Sequence, residues 1–124
     1  MLYFVALVAP EFGSFDWEIR RAAPEDGASE LVGRVAGNRL PFSSLYIHPA
    51  LSKDGRWLAQ ALSDGTTTNL WMLSTEDGSW RQVTDFGEQP TLILRQVSWS
   101  PDGQYLYAAV VKNNGDVVIF DGLV

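Results

Sequence analysis

The sequence predicts an all-β fold, and three observations lead to that prediction. Short apolar runs rich in aromatic and β-branched residues recur along the chain, as is typical of strands. Asp-Gly pairs, which favour hairpin turns, separate several of these runs. The best helical candidate, residues 22–35, is interrupted by Pro24 and Gly27, so we assign no helix.

One turn motif is the reference from which the repeats of the chain can be identified. It is Ser-Pro-Asp-Gly at residues 100–103, where Pro101 sets the first corner, Asp102 can bond its own backbone and Gly103 supplies a positive φ. A related motif, Ser-Lys-Asp-Gly, lies at residues 52–55, about 48 residues earlier. The runs that follow both turns also correspond, so strand and loop lengths are preserved between the two copies.

The chain is built from repeats. A more divergent copy lies upstream, which gives about three units with a period near 48 residues. We place these units at about residues 1–38, 45–87 and 95–124. The middle unit predicts strands at about residues 45–51, 56–63, 68–74 and 80–84. Joined by tight turns, such strands form a four-stranded antiparallel meander.

The predicted sheets are apolar on both faces, because runs such as 57–59 and 105–111 do not alternate between polar and apolar residues. A sheet of this kind must lie between neighbours. Stacked four-stranded sheets that recur about every 40–50 residues are the blades of a β-propeller. About three blades are too few to close a ring, so we predict an incomplete ring in one chain, with apolar faces open at both ends.

The repeats resemble those of a known family. Ser-Pro-Asp-Gly-Gln-Tyr-Leu at 100–106 and Asn-Leu-Trp-Met-Leu-Ser-Thr-Glu-Asp-Gly at 69–78 look like the WD-type repeats of TolB-like propellers. The resemblance covers residues 45–121 well and residues 1–44 loosely, and the turn pattern is altered at Lys53. It implies a partial propeller of about two and a half to three blades. It implies little about activity, because one fold carries many functions.

Composition excludes several classes of function. The net charge is −6 and the nine basic residues are scattered, which argues against a nucleic-acid surface. The absence of cysteine excludes disulfides, thiolate metal sites and a cysteine nucleophile. The apolar run at residues 2–9 is shorter than the ~20 residues of a membrane span and lacks the positive start of a signal peptide. We expect a buried strand there, and the compartment, periplasm or cytoplasm, stays open.

No catalytic constellation is visible in the sequence. His48 is the one histidine, and no Gly-x-Ser-x-Gly elbow is present. We expect His48 to line the propeller channel or its mouth. The aspartates lack the Asp-x-Asp-x-Asp-Gly spacing of a calcium loop and are interpreted as turn residues. The sequence therefore predicts no catalytic residue, no metal site and no cofactor.

Two kinds of position are candidates for binding. Asn69, Asn113 and Asn114 belong to polar stretches predicted at hairpin tips, where loops on a rigid scaffold often bind partners. Ordinary solvated turns are the alternative. Arg39 and Arg95 stand in matching connections between units, and we predict that they reach the channel entrance.

Taken together, these features predict a non-enzymatic binding or scaffold module. Its expected partner is a second copy of the chain, which would cover or complete the open propeller, and another protein or peptide is a further candidate. The family resemblance leaves two alternatives open. One is the substrate-gating propeller of a prolyl-oligopeptidase-like hydrolase, and the other is the sensor domain of a bacterial kinase or regulator.

Overall fold

The computed structural model describes residues 2–8, 15–23, 25, 27–39, 49–112 and 117–123, with only the backbone described at 94–96 and 117–123. Over these residues the chain forms three antiparallel sheets. The first sheet contains β1 (Leu2–Val8), β2 (Asp16–Ala22) and β3 (Ser29–Ala36). A short 3-10 helix, Gly37–Arg39, follows it. It is the only helix among the described residues. No helix in this part of the chain is long and apolar enough to cross a membrane.

The other two sheets follow in chain order. The middle sheet contains β4 (Ala50–Leu51), β5 (Trp57–Asp64), β6 (Thr67–Ser74) and β7 (Trp80–Gln82). The third sheet contains β8 (Thr91–Trp99), β9 (Tyr105–Lys112) and β10 (Val117–Leu123). In each sheet, strands that are consecutive in the chain are neighbours. The predicted all-β fold of antiparallel meanders is confirmed, with four strands in the middle unit.

The middle sheet is tightly connected. Asp64 pairs with Thr67 across the β5–β6 hairpin, so the turn consists of Gly65 and Thr66 alone. Gly65 has a φ of 70°, a left-handed conformation that side chains with a Cβ rarely adopt. This two-residue turn fixes the register of β5 on β6 along their full length.

One face of the middle sheet packs against the first sheet. Ile19 and Val35 of the first sheet form a buried cluster with Leu58, Leu62 and Leu73 of the middle sheet. Ile19 and Leu73 are essentially inaccessible to water. Burial of this apolar surface joins the two sheets, at about 25 cal/mol for each Å² removed from water.

The opposite face of the middle sheet packs against the third sheet. Ala59 and Met72 lie in a second buried cluster with Ile93, Leu106 and Val110. Along β5, Leu58 and Leu62 therefore belong to one cluster and Ala59 and Ala61 to the other. This is why the sequence of β5 does not alternate between polar and apolar residues.

The three sheets thus stack in chain order, as the blades of a propeller do. The first and third sheets each have one face against the middle sheet. The described strands do not close into a barrel or a ring. The fold class is therefore all-β, with propeller blades in an incomplete ring.

Candidate functional site

The site lies where the middle and third sheets meet, and two matching turns form its base. In the first turn, the Ser52 hydroxyl donates to Oδ1 of Asp54 at 2.7 Å, and the Arg56 amide donates to the same oxygen at 3.1 Å. The Ser52 Oγ also accepts a bond from the Trp57 amide at 3.1 Å. The turn is therefore closed by its own side chains before β5 begins.

The second turn repeats this arrangement. The Ser100 hydroxyl donates to Oδ1 of Asp102 at 2.6 Å, and the Gln104 amide donates to the same oxygen at 3.0 Å. The Tyr105 amide donates to Ser100 Oγ at 3.0 Å. The match between the two turns confirms that the repeated motif specifies one local structure.

The pKa values of both aspartates are lowered below their ordinary value. The hydroxyls of Ser52 and Ser100 are the main cause that lowers the pKa of Asp54 and Asp102 respectively, because a hydrogen bond to the carboxylate favours its ionised form. The positive charge of Lys53 adds to the lowering at Asp102. Lys53 of one turn therefore acts on the carboxylate of the other.

The two turns are in direct contact. A Cβ placed on Gly103 would lie 3.9 Å from the Cβ of Lys53. Beside this contact, a cavity of about 560 Å³ opens between the two sheets. Its walls include both turns and three larger side chains, Trp57, Arg81 and Trp99.

Strand positions fix the walls of the cavity. Arg81 pairs with Met72, which places it on the face of the middle sheet that meets the third sheet. Trp99 ends β8, and its indole N–H donates to the Ala50 carbonyl at 2.8 Å across the boundary between the sheets. Trp57 begins β5 and packs partly against the cluster between those sheets.

Two of the predicted binding residues, Arg39 and Asn69, are described and do not line this cavity. Arg39 donates from Nε to the Ser63 carbonyl at 2.9 Å, and its guanidinium lies 5.4 Å from the centre of a Trp71 ring. The arginine thus connects the end of the first unit to the middle sheet. Its predicted place at a channel entrance stays a prediction.

Asn69 lies inside the middle sheet. It is 6% exposed, and its Oδ1 accepts bonds from the Thr84 hydroxyl at 2.8 Å and the Phe86 amide at 3.1 Å. The sequence placed Asn69 in a hairpin tip at residues 65–69. The structure confines that tip to Gly65 and Thr66, and Thr67 to Asn69 belong to β6.

The described part of the structure does not place the side chains of the remaining predicted residues. His48, Asn113 and Asn114 lie outside the described residues. Arg95 lies in β8, and only its backbone is described. Their predicted roles stay predictions. Within the described ranges, no group of three or more histidine, cysteine or acidic side chains could hold a metal ion.

Sequence reasoning missed the cavity between the turns. One signal pointed to it. Lys53 stands where the matching turn has Pro101, so a flexible cation replaces a rigid ring at equivalent positions. The position of Arg81 relative to Trp99 depends on how two sheets stack, and local patterns do not encode that stacking.

Comparisons with known proteins bear on the fold. No protein-family model and no curated protein match the chain. Among solved structures, the chain is similar to TolB from Acinetobacter baumannii, with 14% identity and a TM-score of 0.56. The similarity covers 94% of this chain, which spans 29% of the length of that one. At this identity the likeness is one of fold, and it agrees with the stacked antiparallel sheets: the chain has a β-propeller-like fold.

Proposed function

We propose that the chain is a non-enzymatic binding or scaffold module of TolB-like type that associates with itself. In this proposal the blades lie at about residues 1–38, 45–87 and 95–124, which amounts to about two and a half to three blades. A second copy of the chain covers the open faces of the outer blades.

The observation that carries the proposal is the apolar outer face of the first sheet. Phe4 pairs with Arg20, and Arg20 pairs with Leu31, so these three residues form one row across the sheet. Phe4 is 36% exposed and Leu31 is 46% exposed. Large apolar side chains grouped on one sheet face are typical of an interaction surface.

The same face carries a small charged network. Glu18 accepts hydrogen bonds from Arg20 at 2.9 Å and from Arg34 at 2.7 Å, and the glutamate is itself buried. The two arginines both pair with the Glu18 carboxylate. The face is therefore apolar at Phe4 and Leu31, and the charged groups on it pair with one another. A second copy can therefore cover this face without leaving a buried carboxylate unpaired.

The third sheet offers a counterpart. Tyr105 and Tyr107 are each 41% exposed and follow the same two-residue alternation along β9. Leu106 between them points into the core shared with the middle sheet. The open faces of the first and third sheets are opposite faces of equivalent blades. A head-to-tail pairing of two copies would therefore repeat the contact that the sheets already make within one chain.

Sedimentation velocity over about a hundredfold concentration range tests this proposal, because association follows mass action. We expect a concentration-dependent oligomer that Leu31→Glu and Tyr107→Glu each weaken. Thr66→Glu, an exposed change in the β5–β6 turn of the middle sheet, is the matched control and should leave the oligomer intact. A monomer at every concentration would contradict the proposal.

A further inference from the structure

We propose that the cavity between the two matching turns binds an acidic peptide segment. Lys53 and Arg81 would receive its carboxylates, and Trp57 and Trp99 would pack against an apolar side chain between them. The site is formed within one chain, by the middle and third sheets. It therefore does not depend on whether the chain associates with itself.

The aromatic walls of the cavity are held rigidly. The Trp99 indole is held by its bond to the Ala50 carbonyl, and Trp57 is held by its packing between the sheets. Both line the cavity while remaining partly exposed. A rigid aromatic wall loses little entropy when a ligand packs against it, which is why tryptophan dominates many binding sites.

Lys53 and Arg81 present positive charge at the cavity. Among the described residues, neither belongs to an ion pair, and both are exposed there. Asp54 and Asp102 also line the cavity, and each accepts two hydrogen bonds from its own turn through one carboxylate oxygen. A ligand would therefore place its carboxylates beside Lys53 and Arg81 and away from the two charged aspartates.

The size and the charge of the cavity indicate the class of ligand. A volume of about 560 Å³ lies within the range of sites that enclose small ligands and short peptide segments. A polyphosphate would need several clustered cations, whereas Lys53 and Arg81 are the two cations in this lining. One or two carboxylates matched to Lys53 and Arg81, joined by an apolar group, fit both the charges and the indole rings.

The experiment uses two capped peptides as probes, N-acetyl-Glu-Phe-Glu-amide and N-acetyl-Gln-Phe-Gln-amide. The chain has five tryptophans, so its indole N–H signals can be followed one by one by NMR during a titration. We expect the Glu peptide to shift the signals of Trp57 and Trp99 and to leave those of Trp17, Trp71 and Trp80 unmoved. We expect the Gln peptide to bind about tenfold more weakly, because it loses charge-assisted hydrogen bonds.

Charge variants complete the test. Arg81→Ala and Lys53→Ala should each weaken binding of the Glu peptide about tenfold. Arg56→Ala is the matched control, since Arg56 sits beside the same turn but pairs with Glu76 and does not line the cavity. It should bind like the unaltered chain, and the circular dichroism of all three variants should be unchanged. Equal affinity for the two peptides, or shifts confined to the other tryptophans, would overturn the proposal.

Discussion

A Cβ placed on Gly33 would lie 2.7 Å from Cδ2 of Leu73, closer than non-bonded carbon atoms approach. Gly33 belongs to β3 in the first sheet, and Leu73 belongs to β6 in the middle sheet and is fully buried. The first and middle sheets therefore approach closely at a position where the first sheet has no side chain. A Cβ at residue 33 would force the buried Leu73 side chain to shift, whereas the backbone of Gly33 has no positive φ.

Gly33→Ala is expected to destabilise the chain by about 1–3 kcal/mol, the usual cost of overpacking a well-filled core. Urea unfolding at neutral pH measures this change. The Leu73→Ala background provides the control. Leu73→Ala alone should cost about 2–5 kcal/mol, and Gly33→Ala should cost clearly less there, because the clashing methyl groups are gone. Equal costs in both backgrounds would show that the close approach is not the cause.

Arg39→Ala should destabilise the chain by about 1–2 kcal/mol. The substitution removes the hydrogen bond to the Ser63 carbonyl and the contact of the guanidinium with the Trp71 ring. Arg56→Ala is a suitable control, because Arg56 is exposed and its ion pair with Glu76 is 3.6 Å long. Urea unfolding should show little change for that control. If both variants unfold alike, the Arg39 contacts do not join the first unit to the middle sheet.

The sequence predicted the turns well because each turn is specified by its own residues. Ser52 bonds to Asp54 in one turn, and Ser100 bonds to Asp102 in the other. A short local motif is therefore enough to predict each turn. Strands apolar on both faces predicted that the sheets stack, although not how they are aligned. The environment of Asn69 was harder to predict, because its partners Thr84 and Phe86 lie 15 and 17 residues further along the chain.

The residues of the candidate site could not be found from the sequence, for a physical reason. The cavity combines Lys53 and Trp57 with Arg81 and Trp99, which are far apart in the chain and meet only through the packing of two sheets. No single strand carries the pattern. The guanidinium of Arg39 has a partner in the middle sheet that its place in a connection did not indicate.

Asn69→Ala is expected to destabilise the chain by about 2–3 kcal/mol, since it leaves the Phe86 amide and the Thr84 hydroxyl without the amide oxygen they share. Thr84 itself accepts a bond from the Leu70 amide at 3.0 Å, so the two side chains form one network. Thr84→Val should therefore be coupled to Asn69→Ala, and the double variant should cost less than the two single costs added together. Additive costs, measured by urea unfolding, would mean that the two residues act independently.

The stability of the chain in acid should depend on Asp54 and Asp102. Asp54 and Asp102 have pKa values lowered below 3.8, so the native state binds these protons more weakly than the unfolded state. The resulting stabilisation is complete above the unfolded pKa and is lost as the pH falls below about 4 and through the folded values. The double variant Asp54→Asn and Asp102→Asn removes both titrations.

We therefore expect the melting temperature of the unaltered chain to fall more steeply between about pH 5 and pH 2 than that of the double variant. Asp85→Asn serves as the control, because that carboxylate is exposed and, among the described residues, accepts one hydrogen bond, from the Gly87 amide at 2.8 Å. Its acid profile should follow that of the unaltered chain. Parallel acid profiles for the double variant and the unaltered chain would show that the hydroxyls of Ser52 and Ser100 do not hold these carboxylates in their charged form.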